Sequence, residues 1–300
     1  MNRIPEQQNS EPMLQLMRAR SAIYADATTY QVVQLIGTVL IPVLGAILGL
    51  LWPPARPYVA TISLVIALLD AVWVDRAQRL ALKRAARVSE RFDTQLFGLP
   101  WNAFVAGDPL SAEEISEEAG RWRKGDAKLV DWYAKSVGKA PLHLARIICQ
   151  RTNLWYDGSL RRAYGRWLVF GAALISLGLL VAGALSSLSF LNLVVTVLVP
   201  VAPMLLWAIR ESHRQSDTAA SLEIVRKAAE ALFDRAASDE CGESECTARS
   251  REFQDAIFAR RSANPLVFPL VYNLLRSKME KQMNVGADAL LAKAGINVLQ

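Results

Sequence analysis

WLVFGAALISLGLLVAGALSSLSFLNLVVTVLVPVAPMLLWAI, residues 167–209, contains no charged side chain; Arg166 precedes it and Arg210 follows it. The hydrocarbon core of a bilayer is roughly 30 Å thick and takes about 20 helical residues to cross. At about 1.5 Å per residue this stretch makes about 65 Å of helix, twice what one crossing needs. Ser186, Ser187 and Ser189, with Asn192 close behind, fall where a turn is required. The stretch therefore reads as two helices, 167–185 and 190–209, forming a membrane hairpin with both ends on one side. Trp167 and Trp207 stand at those ends, where amphipathic rings settle at headgroup level.

Residues 32–52 are likewise uncharged and read as another span, which Pro42 can kink without breaking. Gly45 and Gly49 form a small-xxx-small pair that lets a second helix approach. The Trp-Pro-Pro-Ala-Arg-Pro segment at 52–57 is too proline-rich for helix and makes the turn, and 58–74 returns as the second span. Asp70 interrupts that return. It is either a pore-lining or gating group or a carboxylate that snorkels, with Asp75, toward a basic interface.

Charge sets the topology. Arg76, Arg79, Lys83, Arg84, Arg87 and Arg91 follow the second span, Arg161, Arg162 and Arg166 precede the third, and Arg210 and Arg214 follow the fourth. The opposite turns carry Arg56 alone. By the positive-inside tendency both termini lie in the cytosol. The expected protein is all-α and multi-pass, with four transmembrane helices in two hairpins and a split helical cytosolic domain. It begins with a cytosolic N-terminal amphipathic segment (1–31) and the first hairpin (32–74). The first half of the cytosolic domain (75–166), the second hairpin (167–209) and the second half of the cytosolic domain (210–300) follow.

The remaining composition excludes more than it assigns. The net charge of +6 is concentrated beside the apolar blocks, so it reads as topogenic and not as a DNA or RNA surface. Three cysteines are too few for a disulfide framework, and two histidines leave little for a metal site. No apolar core follows a basic start, so no signal peptide is expected. None of the GxSxG, HExxH or Walker patterns occurs, and nothing recommends an enzyme or a cofactor.

The first thirty residues contain a Gln/Asn/Ser stretch and then a helix with Met13, Leu16, Met17 and Tyr24 near one face. That face lies on a membrane or packs on the protein's own cytosolic domain. Ser111 to Glu114 has the form of a capping box. Helices are expected at 128–137, through an apolar stripe of Leu129, Trp132, Tyr133 and Val137, at 141–155, 221–237, 251–261 and 268–283.

Arginine interleaved with aromatics recurs in these helices: Arg121 to Lys124 around Trp122, Trp132 with Tyr133, Arg151 near Trp155 and Tyr156, and Tyr272 with Arg276. Guanidinium forks suit phosphate and flat rings suit bases; the alternative is core aromatics beneath a solvated basic face.

Four apolar helices in two hairpins, Phe92-Asp93 leading to Leu99-Pro100-Trp101-Asn102, the run Cys149 to Asp157, and Asn264-Pro265 followed by Pro269, Tyr272, Arg276 and Met283 together resemble the SMODS-associating four-transmembrane effector family. The resemblance covers nearly the whole chain. It implies an effector of bacterial CBASS, the cyclic-oligonucleotide anti-phage system. A nucleotidyltransferase makes a cyclic di- or trinucleotide; the effector binds it, oligomerises with its own copies and permeabilises the inner membrane. The resemblance supplies no binding residues; from the arginine and aromatic pattern the ligand is expected among Trp101, Asn102, Arg151, Asn153, Trp155, Tyr156 and Arg276, and Asp70 is the candidate pore or gating group. Two other readings stay open. One is an ion channel or transporter not gated by nucleotides, and the other a membrane-anchored scaffold.

Overall fold

A computed structural model describes residues 2–185, 188–264 and 266–297. The expected turn at Ser186 and Ser187, Pro265 of the Asn-Pro break, and the side chains of Asp70, Arg56 and Pro57 lie outside the described residues. All regular structure among those residues is helical. In chain order the helices are α1 (Ile4–Gln7), α2 (Glu11–Leu35), α3 (Ile41–Leu51), α4 (Arg56–Leu69), α5 (Asp75–Phe97), α6 (Ala103–Ala106), α7 (Ala112–Gly120), α8 (Leu142–Leu185), α9 (Phe190–Leu193), α10 (Val199–Ala237), α11 (Glu243–Ala263) and α12 (Pro269–Lys293).

The chain forms two compact units. The first comprises Met1–Asp26, Leu80–Leu160 and Thr218–Gln300; the second comprises Ala27–Arg79 and Arg161–Asp217. Each boundary between them falls inside a helix, in α2, α5, α8 and α10. The sequence pattern suggests helix ends near 157 and 221, yet α8 and α10 run through those positions without a break. No proline or glycine-rich turn stands there to stop them.

The first unit has an ordinary hydrophobic core. Met13, Leu16, Met17 and Ile23 of α2 pack with Val88, Phe92 and Leu96 of α5, Ile147 and Ile148 of α8, Phe233 of α10, Phe253 of α11 and Leu291 of α12. Hence the apolar face of the N-terminal helix packs on the protein itself. Ser111 caps α7 with the reciprocal Glu114 bonds expected of a capping box. The helix expected at 128–137 is absent: residues 121–134 are turns and bends, and a short 3₁₀ segment, Lys135–Lys139, follows. Asp131 has φ +53°, a left-handed conformation that no α-helix accommodates, so Leu129 and Tyr133 reach the core from a loop.

The second unit is built the other way out. Its small interior is Ala172, Leu179, Val197, Val201, Met204 and Ala208, against which Val39 and Val43 pack. Gly37 and Gly183 mark the close approaches, because a Cβ on either would meet Ile66 at 2.6 Å or Leu193 at 2.5 Å. Its outer surface carries large apolar side chains in bulk, from Val33, Leu44 and Leu51 to Phe170, Leu174 and Val199, with Leu185 and Phe190 each 81% exposed. Monomeric soluble proteins rarely expose apolar area on that scale.

Among the described residues one α-helix, α8, is long and apolar enough by itself to cross a bilayer, and only 17% of its apolar window is buried. A core helix of a soluble protein would be mostly buried. The other three apolar runs stay helical but are interrupted by π-helical turns at Ile36–Leu40, Asp70–Val74 and Val194–Leu198. A π turn keeps the backbone hydrogen-bonded, with i→i+5 bonds, while dividing the α-helix into shorter pieces.

Candidate functional site

The first unit contains a cavity of about 290 Å³. Its aromatic wall is Trp132, Tyr133, Tyr156 and Tyr272, and its polar groups include Asn153, Arg276, Glu280 and Asp131. Three elements supply it: the 127–133 loop, α8 and α12.

The loop is positioned by the polar N-terminal segment. Tyr133 N–H donates to Gln8 Oε1 at 2.8 Å, and Gln8 Nε2 donates to the Tyr133 carbonyl at 3.1 Å. Two residues earlier, Asp131 N–H donates to Asn9 Oδ1 and Asn9 Nδ2 to Asp131 Oδ1, both at 2.9 Å. Two side-chain amides thus clamp an otherwise irregular backbone, as burial of loop polar groups requires. Burial opposes it, but the bonds from Asn9 and Lys135 hold the Asp131 carboxyl below its ordinary value. The guanidinium of Arg20 lies 4.3 Å from the Trp132 ring centre, close enough for cation–π attraction.

Tyr133 joins the cavity to the polar interior. Its ring packs 5.3 Å from that of Phe97, and its hydroxyl donates to Asp93 Oδ1 at 2.7 Å. Arg261 Nη1 donates to Asp93 Oδ2 at 2.5 Å. Gln254 Nε2 donates to both Asp93 and Glu90, and Arg251 Nη2 donates to Glu90 Oε1 at 2.5 Å. Tyr133 and Asp93 are 2% and 1% exposed. Burial first, then the Asp93 charge, pushes the Tyr133 phenol well above its usual range. Burial likewise raises the Glu90 carboxyl, against bonds from Gln254 and Arg251.

Asn153, Tyr156 and Arg276, named from the sequence, do line one cavity. Arg276 Nε donates to Glu280 Oε1 at 2.5 Å and Nη2 to the Lys128 carbonyl at 2.9 Å. The Asn153 amide nitrogen is buried with no hydrogen-bond partner, and the Tyr156 hydroxyl is buried without a well-formed one. Burial and the neighbouring Tyr272 raise the Tyr156 phenol.

The other named residues lie elsewhere in the chain. Trp101 packs beside Ala86, Ala106 and Phe258 and donates from Nε1 to the Gly107 carbonyl at 2.9 Å. Asn102 Nδ2 donates to Asp255 Oδ2 at 2.9 Å. Arg151 pairs with Glu230 at 2.7 Å, and Trp155 is half-buried outside the cavity lining. Asp70, in the second unit, opens the π turn Asp70–Val74. Nothing in the sequence pattern singles out Glu280 or Asn284, and it leaves Trp132, Tyr133 and Tyr272 open to a reading as core.

No cluster of metal-ligating side chains occurs among the described residues. Cys149, Cys241 and Cys246 are all buried free thiols, and the last two stand 3.0 Å apart, sulfur to sulfur. Burial and the Cys241 hydrogen bond push Cys246 up to about 12, and burial raises Cys149. Thiolates are the reactive species. Because all three thiols are buried, iodoacetamide at pH 8 is expected to leave the native protein unlabelled and to take up three equivalents after denaturation, read by intact mass.

The profile of the SMODS-associating 4TM effector domain matches residues 2–290 of this chain. A curated protein described as a probable CBASS effector molecule of Bacillus cereus (strain VD146) is 24% identical over 295 residues, covering 96% of this chain and 98% of its own length. No solved structure matches.

Proposed function

We propose a mechanism for a chain that belongs to the SMODS-associating 4TM effector family: it receives a cyclic oligonucleotide in the aromatic cavity and responds by permeabilising the inner membrane. Family membership makes it a membrane-associated effector of CBASS anti-phage defence. The observation that carries the rest is Tyr133, which lines the cavity and is bonded to Asp93 on α5. That helix continues past the unit boundary to Asp75, beside the π turn that contains Asp70.

A base of the ligand stacks among the rings of Trp132, Tyr156 and Tyr272, a contribution of about 1–3 kcal/mol. The ligand acts by favouring one arrangement of the Tyr133–Asp93–Arg261 contact over another, since only differential affinity shifts a two-state equilibrium. The resting state is closed and the liganded state assembles with further copies. The protein is a receiver of the nucleotide made by a nucleotidyltransferase, and it does no chemistry on it.

In this reading the apolar runs are four spans. The exposed apolar surface of the second unit supports it, as do the arginines flanking one end of the second, third and fourth runs. The π turns are compatible with lipid because they leave the backbone paired. Single cysteines introduced at Pro54 and Ser189, in a background lacking native cysteines, are expected to react with a membrane-impermeant maleimide added outside spheroplasts. A cysteine at Ser10 is expected to react only after lysis; equal reaction of all three from outside overturns the topology.

The binding test is calorimetric titration of the detergent-solubilised full chain with cyclic di-AMP, cyclic di-GMP, cyclic GMP–AMP and cyclic tri-AMP. At least one binds, and Tyr156→Ala weakens it about tenfold or more, as expected for loss of one stacking face. Failure of every probe against folded protein rejects the cavity as receiver.

A further inference from the structure

Resting on that reading of the cavity, we infer that it admits one nucleobase per chain and excludes the phosphates, so that a cyclic dinucleotide is shared by two copies of this protein.

Size comes first. Pockets that enclose a drug-sized ligand hold roughly 300–1,000 Å³, and this one holds about 290 Å³. A cyclic dinucleotide carries two bases, two riboses and two phosphodiesters, which exceeds that space. One base with part of its sugar fits.

Charge decides which portion enters. The described lining has one cation, Arg276, and two carboxylates, Asp131 and Glu280. Arg276 is already bonded to Glu280 and to the Lys128 carbonyl. Asp131 is likewise paired with Lys135 at 3.0 Å, so a phosphodiester placed here would have to break an existing ion pair to reach a cation of the described lining. A neutral base meets no such opposition.

The walls suit a base on independent grounds. Four aromatic rings and Met283 provide flat apolar faces, and every base has a π face to offer. Asn153 and Tyr156 stand three residues apart on α8, so they share a helix face. The buried Asn153 Nδ2 lacks a hydrogen-bond partner, while the Tyr156 hydroxyl beside it interacts with Tyr272. Unpaired buried polar groups are costly, and the edge of a base supplies both donors and acceptors. A ring nitrogen or carbonyl accepting from Asn153 Nδ2 would satisfy it.

With one base inserted, the second base of a cyclic dinucleotide is left outside the cavity and available to the same slot in another chain. A cyclic trinucleotide offers a third. Ligand sharing of this kind would couple occupancy to assembly.

The test titrates the full chain in detergent with adenosine, guanosine, their 5′-monophosphates and the four cyclic probes named above, with mass followed by analytical ultracentrifugation. The matching nucleoside is expected to bind within about threefold of its monophosphate, with little dependence on salt, and to leave the mass unchanged. The active cyclic dinucleotide is expected to saturate at one ligand per two chains and to double the protein mass. Asn153→Leu should weaken nucleoside and cyclic ligand alike by about tenfold; unchanged affinity for both would remove the base-edge assignment.

A monophosphate that binds more than a hundredfold tighter than its nucleoside would put phosphate in the slot and overturn the inference. Saturation at one cyclic dinucleotide per chain would overturn the sharing while leaving the receiver reading intact. Silence from every probe, with the thermal unfolding transition intact, would remove both.

Discussion

Arg261→Ala lowers the stability of the helical first unit by about 3–5 kcal/mol, the expected result of stripping the counter-charge from a buried carboxylate. Asp93 is left with the Tyr133 hydroxyl and Gln254 as its remaining donors. Neither carries charge, and the carboxylate stays buried. Thermal unfolding in detergent reads the loss, and the double variant Asp93→Asn with Arg261→Met is expected to regain some of it. The pair is then removed together, and an uncompensated charge no longer remains. An unshifted transition in Arg261→Ala would mean that the network of Glu90, Asp93, Arg251 and Arg261 is not the structural centre of the unit.

The second large effect is functional. Tyr133→Phe keeps the ring against Phe97 and in the cavity wall but deletes the hydroxyl that reaches Asp93. Cyclic-nucleotide affinity is expected to stay within about threefold, while ligand-triggered vesicle leakage falls at least tenfold. Loss of one buried hydrogen bond also costs about 1–3 kcal/mol, so the unfolding transition is measured beside it. Leakage that survives unchanged would show that the cavity speaks to the membrane by another route.

Much of the helical plan can be read directly from residue order. Uncharged runs and flanking arginines mark the apolar helices, and Ser111 with Glu114 marks the start of α7. Asn153 and Tyr156 come together with Arg276 because α8 and α12 are regular helices, on which spacing fixes the facing side. The loop at 127–133 carries no such signal. Its periodic apolar residues imitate a helix, while its path is set by Gln8 and Asn9, more than a hundred residues away in sequence. Only that distant clamp turns Trp132 and Tyr133 into a cavity wall.

Arginine and aromatic content alone does not say which of these residues meet at the cavity, for a related reason. Arg151 and Trp101 have the composition of a nucleotide site, yet Arg151 is matched by Glu230 and Trp101 by the Gly107 carbonyl. Local partners of that kind are decided by helix packing, which composition does not encode. The π turns are equally silent: nothing in Ile36–Leu40 or Val194–Leu198 separates them from the α-helical residues on either side.

Dye release from phospholipid vesicles containing the purified full chain tests the central claim most directly, with cyclic di-AMP, cyclic di-GMP, cyclic GMP–AMP and cyclic tri-AMP added in turn. The account predicts tight vesicles without ligand, and rapid release with at least one probe that Tyr156→Ala abolishes. Vesicles that leak regardless of ligand, or that stay sealed while a cyclic nucleotide demonstrably binds, would contradict it.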